Sequence, residues 1–197
     1  MIHMKPTDED RIGNIAAHVL KKAPTLPYHN AVHALDVWNM ARQYALMEDV
    51  LQDERLILEP AALLHDVIFD VGRADNEERT AEYAEDYLRK QGYAPADAQK
   101  VGQLILVTKR VHDPQEKLEA IMMDADVDNL GRKDFFEKTH QFRKECGVED
   151  RWQWYKGTLD FMNAHQFYTP TAIMWRQERK GYNVEKLKKL IRYDEAA

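Results

Sequence analysis

The chain has 197 residues, 44% of them hydrophobic, with 28 Lys+Arg against 34 Asp+Glu, a formal net charge of −6 and one cysteine. The single Cys146 excludes a disulfide framework and a Cys-rich zinc module, and it fits a reducing, cytoplasmic setting. No run reaches the roughly 20 apolar residues of a membrane span, the charged first ten residues do not resemble a signal peptide, and the acidic balance argues against a nucleic-acid polymer as partner while leaving room for a small anionic substrate held by a metal.

In chain order, the hydrophobic period is helical. Thr7 is the expected N-cap of a first helix running to Ala23, with Ile12, Ile15, Val19 and Leu20 on one face. Pro24 and Pro27 break it. Asn30 caps a second helix to about Val50, with Val37, Met40, Ala41 and Tyr44 as its buried stripe. Glu59-Pro60 is read as the opening of a third, very apolar helix through Ala61 to His65-Asp66, ending before Asp70-Val71-Gly72-Arg73. Asn76 is the expected cap of a helix to Gln91, with Gly92 as its C′ residue. Pro95 and Asp97 start the next, to about Arg110. After the break at Asp113-Pro114 comes a helix carrying Ala120 to Asp126. Further helices are expected over about 133–146, 149–165, 171–180 and 184–192. Strand signals are poor, with Val67-Ile68-Phe69 the one short extended candidate. The pattern predicts a single all-α domain over 1–197.

Three places put metal-type ligands where local structure can aim them: Tyr28-His29-Asn30-Ala31-Val32-His33, His65-Asp66, and Met122-Met123-Asp124-Ala125-Asp126. His65-Asp66 is the most informative. It ends a helix otherwise made of Ala and Leu, where a buried carboxylate is costly unless paired or bound to a cation. Imidazole and carboxylate together suit a borderline divalent ion. Asp126 and Asp124 are the alternatives for the last ligand; either could instead cap the following segment, as could Asp128.

The ordered set of His33, His65-Asp66 and Asp126 resembles the H…HD…D signature of the HD-domain metal-dependent phosphohydrolases. The phrases Tyr-His-Asn-x-x-His, Ala-Ala-Leu-Leu-His-Asp, Asn-Glu-Glu-x-x-Ala and Asp-Ala-Asp-x-x-x-Leu-Gly resemble one bacterial branch of predicted phosphohydrolases. The likeness runs from about Tyr28 to Gly131 and continues more weakly through the C-terminal helices. It implies a helical bundle with His33, His65, Asp66 and Asp126 around one divalent ion (Mn, Mg, Co, Ni, Fe or Zn). It further implies hydrolysis of a small phosphate ester, a nucleotide or phosphomonoester, by metal-activated water. Asp66 would also accept a proton from the attacking water, and the choice of Asp126 over Asp124 follows the family's Ala-Asp order.

Around that set, His29 is a candidate for contacting substrate phosphate or orienting a ligand. Glu77 and Glu78 could hydrogen-bond a ligand or activate water, or simply favour a helix start. Lys109, His112 and Arg73 are the candidates for balancing phosphate charge, and Thr108 closes a helix. A tight His-His pair for a second ion is missing, which leaves His112 with Glu77 or Glu78 as its only candidates. Trp152-Gln153-Trp154-Tyr155 reads as packing, with stacking on a nucleobase as the alternative. A non-catalytic metal and nucleotide sensor uses the same ligands and is the competing function. The C-terminal helices could also carry a homodimer contact.

Overall fold

The helical period becomes nine helices among the described residues, 7–111 and 113–195, of the computed structural model. They are α1 (Asp8–Lys22), α2 (Ala31–Met47), α3 (Gln52–Leu64), α4 (Asn76–Lys90), α5 (Pro95–Leu106), α6 (Lys117–Asp126), α7 (Phe135–Glu145), α8 (Arg151–Ala164) and α9 (Pro170–Glu195). Short 3-10 turns cover Val107–Lys109 and Asp128–Gly131. No strand occurs among the described residues, so the class is all-α. Val67-Ile68-Phe69 is part of an irregular turn, entered through a bond from Val67 N–H to Leu64 O.

The α1 and α2 caps form as their side-chain chemistry dictates. Thr7 Oγ1 accepts from Asp10 N–H at 3.1 Å, and the Asp10 carboxylate accepts from Thr7 N–H at 2.9 Å. Asn30 Oδ1 accepts from Val32 N–H at 2.9 Å and His33 N–H at 3.2 Å. Gly92 takes a φ of +85°, in the left-handed region that closes α4 cheaply.

Three boundaries differ from expectation. α3 starts at Gln52, not at Glu59-Pro60, and Pro60 lies inside it. An interior proline costs about 3 kcal/mol, but Ile57, Leu58 and Ala61 to Leu64 are all buried around it. That burial against α1, α2 and α5 outweighs the lost bond. Asn76 is the first residue of α4 rather than its cap. Its buried side chain instead accepts from Asp70 N–H at 3.0 Å and donates to Asp70 O at 2.9 Å, which ties the 70–73 loop to the helix. The expected pair 171–180 and 184–192 is one continuous helix, α9. Asn183, at the expected gap, is buried and donates to Leu130 O and Arg132 O at 2.9 Å each, so the gap stays helical.

α3 is the centre of the core, packed on α1, α2 and α5, while α6 lies across α2 and α3. α9 returns over the Asp128–Gly131 turn and packs on α8. The approach at the turn is close: a Cβ on Gly131 would stand 2.6 Å from the Arg176 carbonyl oxygen. Asp124 pins the start of α9, accepting from Thr169 N–H and Thr169 Oγ1–H at 2.8 Å each and from Tyr168 N–H at 3.0 Å. It is fully buried. Asp124→Ala would strand these donors and is expected to lower the unfolding free energy by about 3 kcal/mol, read as an earlier urea midpoint at unchanged slope.

Candidate metal centre

Three segments deliver four ligand atoms to one point. The Asn30 cap starts α2 so that His33, three residues on, faces inward and is buried. His65 and Asp66 lie in the turn just past the last residue of α3. His65 Nδ1–H donates to Ala62 O at 2.9 Å, which leaves Nε2 as the free nitrogen. Asp126 is the last residue of α6. The two Nε2 atoms are 3.3 Å apart. Asp66 Oδ2 stands 2.9 Å from His65 Nε2 and 3.3 Å from His33 Nε2. Asp126 Oδ1 stands 3.5 Å from His65 Nε2 and 3.6 Å from His33 Nε2.

These separations fit a shared cation. Ligands about 2.0–2.2 Å from one ion lie about 3.0 Å apart at octahedral corners and about 3.4 Å apart at tetrahedral ones. The ligand atoms of His33, His65 and Asp66 all lie within 4.8 Å of one another. Without a cation the cluster compensates itself. Burial opposes a charge on His33, yet hydrogen bonds to Asp126 and Asp66 raise its pKa. Burial likewise opposes a charge on His65, but the Asp66 charge and both carboxylate contacts lift it well above the ordinary imidazole value. Burial pushes Asp66 and Asp126 upward, and the imidazoles win and hold both carboxyls far below the usual range.

A family model for the HD domain matches residues 30–129, a span that contains His33, His65, Asp66 and Asp126. The chain belongs to the HD-domain family. Members of this family are in general metal-dependent phosphohydrolases, and HD domains bind divalent metals. Among solved structures, Bacillus subtilis YpgQ in complex with ADP superposes with a TM-score of 0.70 at 20% identity, over 94% of this chain and 95% of that one. A second structure of Bacillus subtilis YpgQ gives 0.69 at 20% identity, over 94% and 96%. These likenesses establish a shared fold. No curated protein matches the chain.

Within this HD domain the three neighbouring aspartates have separate tasks. Asp124 holds α9, as described. Asp128 accepts from the Tyr44 hydroxyl and from Arg176 Nε at 2.6 Å, which joins α2 to α9. Asp126 is the one that faces the imidazoles. Its other oxygen lies 3.5 Å from the guanidinium of Arg110, which also donates to Met123 O. Arg110 has a φ of +57°, a strained conformation for a side-chain-bearing residue. Sequence reasoning misses it as a site residue; its signal is a basic group directly after the apolar run of α5.

His29 sits beside the HD cluster with Nε2 3.9 Å from Asp66 Oδ2. Its ring stacks on Phe69 with centroids 3.7 Å apart. Glu145, at the end of α7, clamps it from behind. The carboxylate accepts from His29 Nδ1–H and, at 2.9 Å each, from the backbone N–H groups of Tyr28 and His29. The Glu145 side chain is fully buried. A carboxylate in the last turn opposes the helix dipole, and that is its only trace in the sequence. The Tyr28 hydroxyl bonds to no described residue. Burial, then the charges of Asp126 and Asp66, push its pKa upward, so it stays a donor.

The outer candidates are arranged differently. Glu78 forms an ion pair with Lys109, both partly exposed. Glu77 is half-buried on the first turn of α4. Among the described residues, neither glutamate nor Lys109 bonds to the four ligands. Arg73 pairs with Asp75 at 2.7 Å on the surface. Thr108 Oγ1–H donates to Ile105 O at 2.8 Å, closing the helix. His112 lies outside the described residues.

A cavity of about 380 Å³ opens against the cluster, with His29 and Asp126 in its wall. Its other walls come from Tyr28 and from α7 and α8, among them Phe135, Phe142, Trp154 and Phe161. No helix among the described residues is long and apolar enough to cross a membrane.

The raised imidazoles and depressed carboxyls set a pH signature for the metal-free protein. The imidazole contribution to stability is present below the unfolded value of 6.5 and is lost as pH rises through the higher folded values. The carboxylate contribution is present above the unfolded value of 3.8 and is lost as pH falls through the lower folded values. A divalent ion replaces the imidazole protons. Thermal melts should therefore show the chelated protein losing stability above neutral pH, and the stabilisation by added metal growing over the same range.

Proposed function

We propose that the protein is a metal-dependent hydrolase of a small phosphate ester, with a nucleotide as the favoured form. The observation that carries this reading is the convergence of two imidazoles and two carboxylates beside an open cavity, each imidazole nitrogen lying within 3.6 Å of both carboxylate oxygens. In this reading His33, His65, Asp66 and Asp126 hold one divalent ion, of Mn, Mg, Co, Ni, Fe or Zn type. Were the ion six-coordinate, four protein donors would leave room for water and a substrate oxygen. When bound, the ion supplies positive charge to polarise a phosphoryl oxygen and to lower the pKa of water.

The chain's own groups supply positioning and proton handling. Asp66 accepts a proton from the attacking water. His29, between the ligand cluster and the cavity, contacts the substrate phosphate or orients a ligand, and Glu145 fixes its ring. Tyr28 adds a neutral donor in the same wall. Arg110 offsets negative charge at Asp126. In the same reading Lys109 and His112 are the groups that offset the charge of the anion, and Glu77 or Glu78 hydrogen-bonds a ligand or activates water. Phosphoryl transfer needs little covalent help, so these contributions are of the right kind. The ADP complex of the structurally similar YpgQ supports a nucleotide as ligand. The exposed free thiol of Cys146 supports a cytoplasmic location.

The test is a panel of nucleotides and phosphomonoesters offered to metal-loaded protein. Turnover of at least one is expected, with a loss of about 100-fold or more in Asp66→Ala, since even outer groups of metal sites cost 10–100-fold. Bound metal and bound nucleotide with no product over long incubation would overturn the hydrolase and leave a sensor.

A further inference from the structure

The aromatic cavity beside the ligands leaves two phenylalanines partly open to solvent. Phe142 is 36% exposed and Phe161 is 43% exposed, and both line it. Trp154 completes the set: its ring meets Phe142 edge-on at 5.3 Å between centroids, and Phe142 in turn lies 5.2 Å from Tyr28. The indole is held rigidly. Its Nε1–H donates to Thr139 Oγ1 at 2.9 Å, and its backbone carbonyl accepts from Thr158 Oγ1–H at 2.8 Å. Away from the ligand cluster and the Tyr28-His29 segment, two further polar side chains line the wall: Lys138, 3.9 Å from the Asp36 carboxylate, and Asn129, whose carboxamide bonds to no described residue. Asn129 lies on the 3-10 turn directly after Asp126, so it is tied to the ligand cluster by three residues of chain.

An enclosure of aromatic rings with a carboxamide in its wall is a better fit for a planar heterocycle than for a sugar or an acyl chain. Aromatic faces stack on any nucleobase, and a carboxamide pairs with an edge that offers one donor and one acceptor, as adenine does. The volume of about 380 Å³ is within the range of small-molecule sites, roughly 300–1,000 Å³. We infer that this cavity is a nucleobase subsite, with Trp154, Phe142 and Phe161 as the stacking walls and Asn129 reading the base edge. Its connection to turnover rests on the hydrolase reading; its capacity to bind a base does not. A base seated there places the rest of a nucleotide past His29 and onto the ligand cluster.

The experiment is calorimetric titration of the full chain, with metal removed by chelator, using adenosine and, separately, ribose 5-phosphate. Adenosine is expected to bind saturably and ribose 5-phosphate is not. Phe161→Ala and Asn129→Ala remove groups at the cavity surface, and each should weaken adenosine binding by about tenfold or more. Their melting curves report whether the fold is kept. No adenosine binding by the wild-type chain would overturn the subsite. So would unchanged adenosine affinity in both folded variants, or ribose 5-phosphate binding as tightly as adenosine. Adenosine binding without any phosphate-ester turnover would support the subsite while the hydrolase reading fails, which separates the two.

Discussion

Two imidazoles and two carboxylates meet at one place, each Nε2 within 3.6 Å of an oxygen of both acids. Each alone would be expensive to bury. Together they are tolerable only because opposite charges lie 2.9–3.6 Å apart. The rest of the molecule can be understood as the frame for that crowding. The Asn30 cap orients His33, the apolar α3 ends where His65 and Asp66 are needed, and α6 ends on Asp126. Each ligand lies at or near a helix terminus, where one side chain can be aimed without the rest of the helix entering the site.

The frame also keeps the other acids away from the centre. Asp124 and Asp128 flank Asp126 and are both buried, yet each is engaged elsewhere, Asp124 by Tyr168 and Thr169 just ahead of α9 and Asp128 by Tyr44 on α2 and Arg176 on α9. A buried carboxylate fully supplied with donors has no lone pair in search of a cation. The same logic applies to Glu145, whose carboxylate takes three donors from the Tyr28-His29 segment.

Local patterns in the sequence carry much of this arrangement. The all-α class follows from the hydrophobic period alone, and the ordered His33, His65-Asp66, Asp126 set marks the segments that converge. What local patterns leave out depends on chain return. Pro60 reads as a helix start because punctuation is a local signal, while the burial that overrides it involves three other helices. Residues 181–183 read as a gap between two helices, and only the bonds from Asn183 to the 130–132 turn explain the continuity of α9. Glu145 lies 116 positions from His29 in sequence, and the distance from Trp154 to the ligands is set by how α7 and α8 fold back. Such contacts have no periodic signature.

The family match spans residues 30–129 and so stops before α7. The ligands fall inside it, whereas Glu145, Phe142, Trp154 and Phe161 fall beyond it, and His29 sits just ahead of it. In the proposed reading, chemistry and choice of ligand are carried by different stretches of the polypeptide. Rings on α7 and α8 could then be exchanged without touching any of the four clustered side chains, which makes the C-terminal half the place to redesign what the protein accepts.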